Sequence, residues 1–128
     1  MNTAIRWLFV AALVACAAFL FRFDPQDGRY SSLYPPCPFH RITHLHCPGC
    51  GTLRAMHDLL HGRIAEALGH NAAATLFVPF ALWYALYAFG IVSVSPGLDR
   101  WSWHILAAVV LFWILRNLPF APFAALAP

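Results

Sequence analysis

Three long apolar runs, over residues 4–23, 72–94 and 101–118, constrain this chain more than any other feature. A helix of roughly 20 apolar residues is about 30 Å long, the thickness of a bilayer's hydrocarbon core. Of the 128 residues, 61% are hydrophobic and only 10% charged. A soluble domain carries about 25% charged residues, and one core of this size could not hide so much apolar surface. Lipid must therefore be part of the solvent. Leu13-Val14-Ala15-Cys16 has the form of a lipoprotein processing site, but one basic residue precedes it and the run continues through Phe21. The first run is accordingly expected to remain as a span, with Arg6 and Arg22 near its ends. In the second run Pro79 predicts a kink and Asn71 an N-cap. The third is bounded by Trp101 and Trp103 on one side and by Arg116 and Pro119 on the other, residues suited to the headgroup region. The apolar tail over 120–128 is expected at the bilayer surface.

Between the first two runs lies the chain's chemistry. Three of the four cysteines and six of the seven histidines fall between Cys37 and Asn71, so any reactive centre belongs there. Residues 24–51 read as a Cys/His-rich connector, because Asp24-Pro25, Asp27-Gly28 and Pro35-Pro36 are turn signals. Pro36 and Pro38 hold Cys37 extended. Residues 52–69 read as an amphipathic helix, with Thr52 as N-cap and Gly69 just past its end. Leu53, Met56, Leu60, Ile64 and Ala67 would form its apolar face, and Arg54 would pair with Asp58 one turn on. The fold class is thus an all-α membrane protein: a single membrane domain over 1–128, with three transmembrane helices and one amphipathic, interfacial helix after a Cys-rich knuckle.

Cys47-Pro48-Gly49-Cys50-Gly51 has the form of a zinc knuckle. Two thiolates at this spacing reach one metal from a tight turn, and glycine after the second cysteine frees the backbone there. A closed tetrahedral site needs two more ligands. Cys37 is the natural third, and His57 or His61, one helical turn apart, the fourth. His40, His44 and His46 are less firmly fixed. Zinc suits mixed sulfur and nitrogen ligands. The same thiols permit a disulfide from Cys37 to Cys47 or Cys50, which leaves one thiol over. They also permit thiol–disulfide exchange by Cys47 and Cys50, with a helix N-terminus favouring the thiolate. A further reading is an anion or lipid-headgroup site, in which Gly49 and Gly51 present backbone amides and Arg54 a charge. Cys16 reads as an inert, buried thiol.

The dispersed carboxylates offer no acid–base pair, and a chain without lysine or a basic–aromatic run does not suit nucleic acid. These features favour a binding or scaffolding role over an enzyme. The lipid bilayer is the expected partner, with a membrane protein or a second copy beside it.

The Cys37-Pro38-Phe39 start, the Thr43-x-Leu45-x-Cys47-Pro48-Gly49-Cys50-Gly51-Thr52-Leu53-Arg54-Ala55 core and the His57-x-x-x-His61-Gly62 sequence resemble the bacterial DUF2752 family, small membrane proteins of unknown function. Asp24-Pro25 and Gly28-x-Tyr30 fit its lead-in. His44, where the family usually has glycine, and Ala72, where it commonly has proline, depart from the pattern. The resemblance implies the bacterial cytoplasmic membrane and no particular activity. Basic residues before the first span, common in the family, would put the connector outside the cytoplasm. Here six arginines on the connector side against Arg6 and Arg100 put it inside. The side is left open.

Overall fold

The computed structural model describes residues 3–34, 36–95 and 97–121, and among these there is helix and no strand. The elements are α1 (Thr3–Arg22), a 3-10 turn (Gly28–Leu33), α2 (Pro38–Thr43), α3 (Thr52–Leu60), α4 (Ile64–Ala88) and α5 (Leu98–Arg116). The all-α class expected from the sequence is what forms. Two helices, α1 over Ala4–Arg22 and α4, are long and apolar enough to cross a membrane. The turn at Pro96 and the tail beyond Ala121 lie outside the described residues.

The single amphipathic helix expected over 52–69 is instead two pieces. Its first part stops at Leu60, where Gly62 takes φ +74, a conformation that costs other L-residues strain. The Arg63 amide bonds back to the Asp58 carbonyl (2.8 Å) and the Gly62 amide to that of Leu59 (3.0 Å). This is a Schellman ending with glycine at C′. Gly69, expected to end a helix, sits inside α4. Within α4 the backbone leaves helical dihedrals at Asn71 (φ −160, ψ 94), and Pro79 lies inside the helix. At Asn71 the side-chain Oδ1 accepts the Ala74 amide at 3.0 Å, capping the apolar segment that follows. Thr52 is not a cap: Gly51, at φ 82, precedes α3, and the Thr52 hydroxyl accepts from Asn71 instead.

Burial keeps only part of the expected apolar face: Ala67 is buried and Met56 half-buried. On α3 the buried residues are Ala55, His57 and Asp58, while Leu53, Leu60 and Ile64 are exposed. Over the described residues the only buried hydrophobics are Ala55 and Ala67, whereas Asp58, Asn71, Thr75, His57 and Arg116 are buried polar side chains. Water as sole solvent would select the opposite arrangement. Asp58 is matched by Arg63 (2.6 Å) and His70 (3.3 Å), not by Arg54. The expected buried thiol, Cys16, is exposed on α1. Three long helices meet this polar layer at one end each: α1 through Leu20, α4 through Asn71 and α5 through Arg116.

Candidate metal centre

Cys37 is extended (φ −58, ψ 119), and Pro38 opens α2 directly after it. That placement carries the thiol back to the knuckle. The knuckle is a tight turn, with the Cys50 amide on the Cys47 carbonyl (3.0 Å) and the Thr52 amide on that of Gly49 (3.1 Å). Cys37 Sγ lies 3.6 Å from Cys47 Sγ, and Cys47 Sγ lies 3.2 Å from Cys50 Sγ. All three sulfurs fall within 4.8 Å of one another, close enough to hold one metal ion. Every cysteine is a free thiol.

Two polar clamps fix the turn from behind. Asn71 Nδ2 donates to the carbonyls of Pro48 (2.9 Å) and Cys50 (3.1 Å). From the end of α5, Arg116 Nη1 donates to the carbonyls of Cys47 (3.1 Å), Pro48 (3.4 Å) and Cys50 (3.2 Å). Its guanidinium lies 5.0 Å from the Phe112 ring centroid. Arg116 is 1% exposed and pairs with no carboxylate among the described residues. Next to it, Asn117 exchanges two hydrogen bonds with the His46 backbone (2.8 and 2.9 Å), seating the segment that leads into Cys47.

The histidines sort differently from the sequence expectation. His57 Nδ1 donates to the Leu20 carbonyl (2.6 Å), with Nε2 3.8 Å from Asp24. His61 donates to the His57 carbonyl (2.9 Å) and stacks on Phe21 (4.2 Å between centroids). Neither joins the thiol group. They fasten α3 to the end of α1. His44, at φ 59, ends α2. Instead, His40 and His46, stacked at 4.5 Å, line a cavity of about 400 Å³ together with the three cysteines. His40 Nδ1 donates to the Leu45 carbonyl (3.3 Å), as a metal-ligating histidine commonly does with its second nitrogen. Gly49, Gly51 and Arg54 line the same cavity.

Electrostatically the three thiols are not equivalent. The His40 backbone amide at the start of α2 holds the Cys37 thiol below its ordinary range. Burial, with the two neighbouring thiols, pushes the Cys50 thiol up to about 12. Burial also pushes the His46 imidazole down toward its neutral form, helped by His40 and Arg116. Without a cation, Cys50 therefore stays protonated at neutral pH, and bringing all three sulfurs to thiolates requires positive charge among them.

The hold of Arg116 and Asn71 on the knuckle is what sequence reasoning missed, and it ranked His40 and His46, which line the cavity with the cysteines, below His57 and His61. Arg116 read as a mark of the bilayer boundary, as did Arg22 at the end of the first run. The proteins curated elsewhere and the solved structures include no match to this chain. Residues 37–85 match the family model described as a protein of unknown function, DUF2752. That stretch holds all three clustered cysteines, α2, α3 and most of α4. Over residues 37–85, then, the chain is similar to the DUF2752 family, as the motif around the knuckle implies.

Proposed function

We propose that the chain is a small integral protein of the bacterial cytoplasmic membrane whose connector carries a zinc site formed by Cys37, Cys47 and Cys50, serving as a binding or scaffolding module rather than an enzyme. The observation that carries this reading is the convergence of three sulfurs within 4.8 Å, drawn from a turn and from a segment ten residues upstream. Zinc suits a thiolate-rich site and needs no redox partner. Three thiolates around a divalent ion leave one net negative charge, and the buried, carboxylate-free guanidinium of Arg116 supplies the matching positive one.

Three spans are favoured by the way α5 returns. From its cap at Asn71, α4 runs to Ala88, about 25 Å of helix away from the knuckle. Arg116, at the far end of α5, is back against the knuckle carbonyls. If α4 crosses the bilayer, α5 must cross it again to bring Arg116 there.

The test is to purify the protein without chelator and measure zinc and free thiols together. About one zinc per chain is expected, with the three connector thiols recovered after denaturation. Single Cys37→Ser, Cys47→Ser and Cys50→Ser changes should lose the zinc, and His57→Ala and His61→Ala should keep it. Absence of metal, with two thiols missing until reduction, would instead assign the cluster to disulfide chemistry.

A further inference from the structure

The three sulfurs make an incomplete coordination set. No imidazole or carboxylate among the described residues joins their group, and zinc takes four ligands. On one side the knuckle is closed by Arg116 and Asn71. On the other, the three cysteines form part of the wall of the cavity of about 400 Å³, large enough to admit more than a water molecule. Arg54 stands in that wall. The carboxylate expected to neutralise it, Asp58, is taken by Arg63 and His70, and Arg54 has no ion-pair partner among the described residues. Where α3 begins beside it, no side chain caps the first amides.

From this geometry we infer that the metal's fourth position faces the cavity and takes a phosphate oxyanion from outside the chain, with Arg54 as the second point of attachment. The inference rests on the metal reading above. Its chemistry follows from the two groups available. A divalent ion accepts one anionic oxygen as a Lewis acid, and a guanidinium fork fits two more oxygens of the same tetrahedral anion. Charge agrees as well. Arg116 already balances the three-thiolate centre from the buried side, so an added anion needs a second cation, and Arg54 supplies it from the cavity side. The phosphate has two possible sources, a free phosphate or the headgroup of a phosphate-monoester lipid, and the chemistry of recognition is the same for both.

The experiment uses the full chain in detergent with cobalt(II) in place of zinc, so that coordination is read from the d–d absorption. Inorganic phosphate and, separately, short-chain phosphatidic acid are titrated in, with phosphatidylcholine as control. A saturable spectral change is expected with phosphate or phosphatidic acid, along with paramagnetic broadening of the phosphorus resonance. A response to both identifies free phosphate as sufficient, and a response to the lipid alone identifies the headgroup. R54Q should bind cobalt as wild type does and need about tenfold more phosphate for half-saturation. A spectrum unmoved by either phosphate source overturns the inference and leaves the metal site standing. So does a response that appears only in His40→Ala or His46→Ala, since one of these histidines would then occupy the fourth position. Equal half-saturation in R54Q removes Arg54 from the site. Cobalt that binds without sulfur-to-metal charge transfer, or not at all, defeats the metal reading itself and this inference with it.

Discussion

Arg116 separates a metal centre from a set of reduced thiols, because only the first needs its charge. The three carbonyls it contacts keep other donors: Cys50 N on Cys47, and Asn71 on Pro48 and Cys50. Replacing Arg116 with methionine therefore strands no carbonyl and relieves the burial of a charge. The expectation is a small change in the thermal stability of the metal-free protein, but zinc affinity weaker by about tenfold to a hundredfold. R116K should fall between. Competition against a chromophoric chelator checks the first value and tryptophan fluorescence on heating the second. Equal loss in both would give Arg116 a structural role only. At this scale the cysteines were legible in the sequence, because Cys47 and Cys50 are local and Cys37 lies ten residues away. Arg116 was not, because its partners lie 66 to 69 residues upstream, and nothing in an apolar run announces which end turns inward. His57 misled for a related reason: its position on a helix face was readable, but not that the Leu20 carbonyl, freed at the end of α1, lay opposite it.

Among the elements, the join between α3 and α4 decides how the knuckle is held. Asn71 does two things there: Oδ1 caps the following segment through Ala74, and Nδ2 donates to Pro48, Cys50 and Thr52. Aspartate preserves the first and abolishes the second, setting a carboxylate against two carbonyls. Asn71→Asp should thus destabilise at least as much as Asn71→Ala, by about 2–4 kcal/mol, although aspartate caps a helix as well as asparagine and alanine does not. Thermal unfolding of the two variants side by side checks this. If Asn71→Asp proves the milder change, capping alone explains the residue. The cap at Asn71 is legible in the sequence; the helix break at Gly62 is not. The sequence His61-Gly62-Arg63 carries the usual glycine of a helix ending, but the apolar spacing through Ile64 and Ala67 reads straight across it. Periodicity reports which residues could share a face, and a single left-handed glycine resets that face.

Taken whole, the molecule is polar where its helix ends meet and apolar on its outside. Ile42, at 80% exposed, and Trp103, at 78%, stand among many large hydrophobic side chains left exposed along the described helices, more than a surface facing water alone carries. The sequence foretold lipid solvation from composition, and α1 and α4 meet the length and hydropathy of spans. It could not foretell the polar interior, since an amphipathic pattern has no sign until the solvent is known. The third span is tested by labelling introduced cysteines in sealed vesicles with a membrane-impermeant maleimide, in a background with Cys16 replaced by alanine. Leu111→Cys should stay unreacted, while Arg22→Cys and Arg100→Cys react from opposite sides. Ready labelling of Leu111→Cys would place α5 along the surface.

The central claim, three connector thiolates on one metal, is tested most directly by X-ray absorption at the zinc edge on protein purified without chelator or added thiol. The account predicts three sulfur ligands at about 2.3 Å and one lighter oxygen or nitrogen ligand at about 2.0 Å. Two sulfurs with two nitrogens, or zinc bound only through light atoms, would contradict it.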